Sequence, residues 1–255
     1  MPRFSINVSM MLQEHAFLDR FQAAADLGFK GVDIQFPYEF SAEEIFERAQ
    51  RAAVEIVLIN VPAGDLIKGG NGLACVPGRV AEFADAVAKA RSYVEILGCK
   101  RVNVLMGLVP EEITQQEAEY TFVHNLRLAA DTFAPMGVTV MTEPCNQRDV
   151  PRYLASRTEH AIALLDLAER PYLAIQFDFY HRQVTEGNLI EGFLSALPRI
   201  AHLQFADNPG RHEPGTGEIA YEHIFAAIDA SGYTGWVGAE YRPSKETSST
   251  LHWMK

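Results

Sequence analysis

Eight short apolar or β-branched runs, at 4–10, 31–36, 55–61, 101–106, 138–143, 173–179, 200–206 and 236–241, alternate with longer stretches along the whole chain. The stretches between them repeat their apolar residues every 3.6 positions, the period of a helix with one buried face. Clear cases are 17–27, ending at Gly28, 81–97, ending at Gly98, and 117–133; 157–167 and 221–230 follow later. Ser41-Ala-Glu-Glu44 has the form of a capping box, with Ser41 as N-cap and Glu44 three residues on. Eight strands, each followed by helical material, are what a closed (β/α)8 barrel requires. An open doubly wound sheet is the competing arrangement, but no Gly-x-Gly-x-x-Gly follows the first strand, and polar residues recur at several strand ends instead of at one switch point. With 255 residues and no Pro/Gly/Ser-rich linker, the sequence predicts an α/β protein with one barrel domain over 1–255. The longest irregular stretches, 62–79 and 207–218, follow the third and seventh strands and should overhang the catalytic face.

The last four strands end alike. They close on Glu143, Asp178, Gln204 and Glu240. Side chains alternate along a strand, so Glu143 shares a face with Met141, Asp178 with Gln176, Gln204 with His202 and Glu240 with Gly238. If those faces point inward, three carboxylates and one amide converge at the barrel mouth. One polar strand end is what any chain leaving a barrel shows; four of ligand type on consecutive strands are a constellation. Carboxylates gathered in a partly buried place repel one another unless a cation sits among them. An all-oxygen donor set suits one divalent metal, Mg²⁺ or Mn²⁺, whereas zinc usually recruits Cys or His.

Other polar residues carry less. His181 lies three residues past Asp178 and reads equally as a solvated loop histidine or as a substrate ligand. Arg211 and His212, in Gly-Arg-His-Glu-Pro-Gly-Thr-Gly-Glu, could hold a carboxylate, to which the planar guanidinium is suited. Asn60 and His202 read as satisfied polar residues of the barrel interior. Cys145 stands near Glu143 without a base partner at catalytic spacing. Cys75, Cys99 and Cys145 show no Cys-x-x-Cys spacing and read as reduced thiols of a cytoplasmic protein. The N-terminus is too short and polar for a signal peptide, and no apolar run reaches membrane-spanning length. A net charge of −11 argues against nucleic acid or an anionic membrane as partner, since phosphate binding needs a dense basic face. It leaves room for a small anionic molecule held by local cations. A homo-oligomer is compatible with the sequence, its surface expected on the outer helices, though no decisive apolar patch marks it.

Over nearly its whole length the sequence resembles the hydroxypyruvate isomerase family of the xylose isomerase-like TIM barrels. The resemblance rests on the stretches 3–10, 60–65, 72–79, 175–181, 202–209, 213–219 and 235–241, with Gly31-Val-Asp and Phe36-Pro-Tyr38. It implies metal ligation by Glu143, Asp178, Gln204 and Glu240, with Glu143 and Glu240 also acting as the proton donor and acceptor. Similarity to sugar epimerases implies that His181 and Arg211 contact substrate. The implied substrate is a small hydroxy-carbonyl acid: hydroxypyruvate, interconverted with tartronate semialdehyde through an enediolate, towards which Pro-Gly-Thr-Gly-Glu tilts the reading. Close relatives acting on 2-oxo-tetronate share nearly all these motifs, and a ketose 3-epimerase would use the same site on a longer sugar. Arg242 departs from the pattern, standing where Lys usually follows Glu-Tyr; the charge is kept and the donor geometry changes. Outside this group stand a non-catalytic sugar-acid binding protein and a barrel phosphodiesterase. The latter would need a histidine-rich multi-metal site and a basic surface that the sequence lacks.

Overall fold

The computed structural model describes residues 1–254. All eight expected strands are present: β1 (Arg3–Asn7), β2 (Gly31–Ile34), β3 (Glu55–Asn60), β4 (Arg101–Asn103), β5 (Thr139–Thr142), β6 (Leu173–Asp178), β7 (Ile200–Phe205) and β8 (Trp236–Ala239). They pair in parallel in chain order, and β8 returns to β1, closing the barrel. Around it run α1 (Arg20–Asp26), α2 (Ala42–Arg51), α3 (Val80–Leu97), α4 (Gln115–Phe133), α5 (Thr158–Ala168), α6 (Phe179–Thr185), α7 (Leu189–Ala196) and α8 (Tyr221–Ala230). Among the described residues, no helix is long and apolar enough to cross a membrane.

Local chemistry explains the starts and stops. The expected capping box at Ser41 forms, and Thr114 with Glu117 forms a second one at the head of α4. The helix of 81–97 ends at Gly98, whose φ of 70° lets it occupy the left-handed region that terminates a helix without strain. Two elements differ from expectation. No helix is expected from the sequence over 179–196, where α6 and α7 form, and β6 runs into α6 with no intervening loop. Asp178 is both the last strand residue and the N-cap, its Oδ1 accepting from Tyr180 N at 2.8 Å.

The apolar core lies between the strands and helices, while the barrel's interior is layered. Deep inside, Leu58, Met141 and Ala174 pack together from β3, β5 and β6. Facing them is a buried polar group: His202 Nε2 lies 3.0 Å from Asp33 Oδ2, which also accepts from Ser5 Oγ at 3.1 Å. His202 is thus engaged through Nε2 alone, and its Nδ1, like Asp33 Oδ1, is buried without a partner, so it is only half satisfied. Gly238 makes room for this pair, since a Cβ there would stand 2.3 Å from Asp33 Oδ2. Above this layer come Asn7, Asn60, Asn103, Glu143, Gln176, Gln204 and Glu240, all buried.

Candidate active site

Strands β5 to β8 bring the expected side chains together. Ligand oxygens of Glu143, Asp178 and Glu240 all lie within 4.8 Å of one another, and all three residues are buried. Gln204 stands beside them, opposite Asp178 in the β6–β7 register and 1% exposed. Its Oε1 accepts from Gln176 Nε2 at 2.7 Å.

Amides hold the carboxylates in place. Gln176 Nε2 also donates to Glu143 Oε2 at 2.9 Å, and Asn103 Nδ2 approaches the same oxygen at 3.5 Å. Glu240 Oε1 accepts from Asn7 at 2.6 Å and Gln35 at 3.1 Å. Asn7, Gln35, Asn103 and Gln176 do this work without standing out in the sequence. Their signal was their inward parity near strand ends, which Asn and Gln share with many structural amides.

The electrostatics are those of a crowded acidic pocket. Burial first, then Glu240 and Asp178, push the Glu143 carboxyl well above the ordinary range. Burial raises Asp178 to about 7, against the opposing pull of Arg211. Arg211, at φ 57° in the loop after β7, reaches in to contact Glu240 Oε2 at 2.6 Å and Asp178 Oδ2 at 3.4 Å. Its Nε remains buried and unpartnered, as does Glu143 Oε1. His212 turns away, its Nδ1 lying 2.6 Å from the Arg242 carbonyl, so of the adjacent pair only Arg211 belongs to the site.

His181 is not a solvated loop residue. It is 3% exposed in the first turn of α6, with Nε2 3.7 Å from Glu143 Oε1 and 3.8 Å from Asp178 Oδ2. Its Nδ1 faces the backbone N–H of Asn146 at 3.2 Å and the Asn146 side-chain amide at 2.7 Å. A backbone N–H can only donate, so Nδ1 accepts and Nε2 carries the proton. Burial holds this ring well below the usual imidazole pKa, so it is a neutral donor aimed at the acidic cluster. Glu143, Cys145 and His181 also gather closely enough to suggest a metal site, but this tautomer gives His181 no lone pair there. The Cys145 thiol is pushed well up by burial and by Glu143, which leaves it unsuited to nucleophilic attack.

Three buried carboxylates in mutual reach, one with a bare oxygen and with an amide oxygen beside them, fit a hard divalent cation. Glu143, Asp178, Gln204 and Glu240 are the residues that could hold it. Above them opens a cavity of about 260 Å³, lined by Glu143, His181, Arg211 and Glu240 on one side and by Phe36, Asn60, Leu66, Ile67 and Leu108 on the other. The overhanging 62–79 segment supplies Leu66 and Ile67, as its position after β3 predicted. A roomier groove of about 650 Å³ lies beside Pro77, Tyr120 and His124, and none of the acidic cluster lines it.

A closed parallel eight-stranded barrel with carboxylates at the ends of β5, β6 and β8 and an amide at the end of β7 defines a (β/α)8 enzyme scaffold with its site at the C-terminal mouth. Residues 21–255 match the family described as Xylose isomerase-like TIM barrel, and the chain belongs to it. It is 43% identical to the hydroxypyruvate isomerase of Escherichia coli K12 over 254 residues, covering 100% of this chain and 98% of that protein. It is 42% identical to the 2-oxo-tetronate isomerase of Cupriavidus necator over 255 residues, with 100% and 98% covered. With them the chain is an enzyme of the isomerase class, hydroxypyruvate isomerase-like. Among solved structures it is similar to a Brucella melitensis protein named AP endonuclease, family 2, with a TM-score of 0.96 and 40% identity over 100% of this chain and 98% of that one.

Proposed function

We propose that this chain interconverts hydroxypyruvate and tartronate semialdehyde, moving one proton between adjacent carbons through an enediolate. The observation that carries the proposal is the meeting of Glu143 and Glu240, from β5 and β8, over a cavity of small-molecule size. One glutamate takes the proton from the hydroxymethyl carbon, and the freed electron pair forms the C=C bond as the ketone oxygen becomes anionic. The other glutamate, or the same one, returns a proton to the neighbouring carbon. The ketone oxygen gains a proton and the former hydroxymethyl oxygen loses one, so the atoms balance. His181 Nε2–H and the free Arg211 Nε–H are the donors placed to meet the oxygens of the reacting carbons. When bound by Glu143, Asp178, Gln204 and Glu240, one Mg²⁺ or Mn²⁺ supplies Lewis-acid stabilisation of the charge that builds on oxygen.

The 2-oxo-tetronate reading stands next, because a relative of nearly equal identity carries that name. A phosphodiesterase reading has less support: the acidic cluster has one histidine beside it, in a donor tautomer, and the chain carries a net charge of −11. The test is turnover of hydroxypyruvate in D₂O by metal-stripped protein with and without Mg²⁺ or Mn²⁺, followed by proton NMR. Metal-dependent tartronate semialdehyde with deuterium at its newly protonated carbon is the expected result. Glu143→Gln and Glu240→Gln should each lose about 10²- to 10⁴-fold in turnover, the usual worth of a positioned general acid or base. Near-normal turnover by both folded, metal-loaded variants would sink the assignment.

A further inference from the structure

The polar residues at the mouth divide into two groups. On β5, β6 and β8 stand the carboxylates; on β1 to β4 stand four amides, Asn7, Gln35, Asn60 and Asn103, of which Gln35 lies just past the end of β2. Three of these amides are committed, Asn7 and Gln35 to Glu240 and Asn103 to Glu143. Asn60 is different. It shares the inward face of β3 with Leu58, which packs inside the barrel, and it lines the cavity at only 5% exposure. Its backbone is used, with N–H donating to Gln35 O and C=O accepting from Tyr38 Oη at 2.6 Å. Its side-chain amide makes no hydrogen bond to any described residue. The amide is open to the cavity and held by no protein group, so its donors are left for whatever occupies the cavity.

We infer that Asn60 is the residue that recognises the substrate's carboxylate, which is bonded to the ketone carbon at the end of the molecule opposite the hydroxymethyl carbon. This inference rests on the isomerase reading proposed for the same site. A substrate whose reacting carbons lie at Glu143 and Glu240 has to place its own negative charge away from three carboxylates. β3 lies four strands from β7 in the closed ring, so Asn60 enters across the mouth from Gln204. On that side Phe36, Leu66, Ile67 and Leu108 provide apolar wall and no charge. Arg211 spends Nη2 on Glu240 and Asp178, on the catalytic side of the cavity, and its free Nε–H is the donor assigned above to the oxygens of the reacting carbons. An amide N–H in an apolar wall discriminates well, since a ligand without an acceptor leaves that donor unpaired.

The test compares hydroxypyruvate with dihydroxyacetone, which has a hydroxymethyl group where the acid has its carboxylate. In Asn60→Ala the KM for hydroxypyruvate should rise about 10- to 100-fold, the worth of a hydrogen bond to a charged group, while kcat changes far less. The inhibition constant of dihydroxyacetone should move less, by about 2- to 10-fold, the worth of a hydrogen bond between neutral groups. Asn60→Asp, nearly isosteric, puts a carboxylate against a carboxylate. It should raise the KM for the acid further than Ala does, and it decides the matter if the alanine variant folds poorly. Equal losses for acid and neutral ligand, no loss for either, or a loss confined to kcat would overturn the assignment alone. A wild-type protein that turns over 2-oxo-tetronate instead is tested in the same way against erythrulose. A wild-type protein inactive on both acids would overturn the isomerase reading and this assignment with it.

Discussion

Gln176 shows what a single amide can do at the bottom of an acidic site. One Nε2 hydrogen holds Glu143 and the other holds Gln204, so two candidate ligands on β5 and β7 are spaced by a residue on β6 between them. Replacing it by Leu keeps the volume and removes both hydrogen bonds. Gln176→Leu should fold and should bind Mn²⁺ about 10- to 100-fold more weakly, as loss of a group that orients ligands typically does. Titration followed by electron paramagnetic resonance measures this, and an unchanged affinity would show that the ligands hold themselves. At this scale the sequence was readable where residue type implied chemistry. Glu143, Asp178, Gln204 and Glu240 announced themselves by ending four apolar runs. Asn60 did not, because an inward amide looks the same in sequence whether a neighbour satisfies it or a cavity faces it. The expected satisfied-core role for Asn60 is corrected by the lack of a partner for its side chain.

Among elements, the loop after β7 carries Arg211, and one buried side chain fixes its shape. Asp207, 0% exposed, accepts through Oδ1 from the backbone N–H groups of Asn208 and Ile219, and through Oδ2 from those of Gly215 and Gly217. Gly217 cannot carry a side chain, because a Cβ would stand 2.2 Å from the Asn208 carbonyl oxygen. The Pro-Gly-Thr-Gly-Glu stretch, whose motif tilted the reading towards hydroxypyruvate, thus also has a structural reason for two of its positions. Asp207→Asn replaces one acceptor with an NH₂ facing backbone donors. It should cost about 1–3 kcal/mol, as for a buried donor left unsatisfied, and raise KM by displacing Arg211. Urea unfolding and substrate titration read the two effects, and stability loss without a change in KM would uncouple the loop from the site. The eight strands were legible because each carries its own apolar signal. α6 was not, because Phe177 and Phe179 continue the alternation of β6 across the point where the backbone turns helical.

The whole molecule imposes the cluster's charge problem, since closing the barrel is what forces strands from distant parts of the chain to share one mouth. The cost appears as displaced proton affinities: Glu143 is well above its usual value, chiefly through burial, and Asp178 is raised to about 7 for the same reason. A carboxyl whose folded pKa is raised favours folding fully only below its unfolded value, about 3.9 for Asp. That contribution is lost as pH climbs through the folded value near 7. In metal-free protein Asp178 therefore weakens the fold progressively between about pH 4 and 7, the window set by those two values, and Glu143 acts in the same direction. A divalent cation reverses this by replacing the protons, so its binding near neutrality should release protons and should strengthen with pH. The rise in Tm on adding Mg²⁺ or Mn²⁺ should accordingly be small at pH 5.5 and large at pH 8. Calorimetry at pH 6.5 in buffers of different ionisation enthalpy should show net proton release. A metal-induced gain in Tm that is flat from pH 5.5 to 8, with no protons released, would mean that the carboxylates are already ionised without the metal. Arg211, bonded to Glu240 and Asp178, would then be the cation that suffices to balance them.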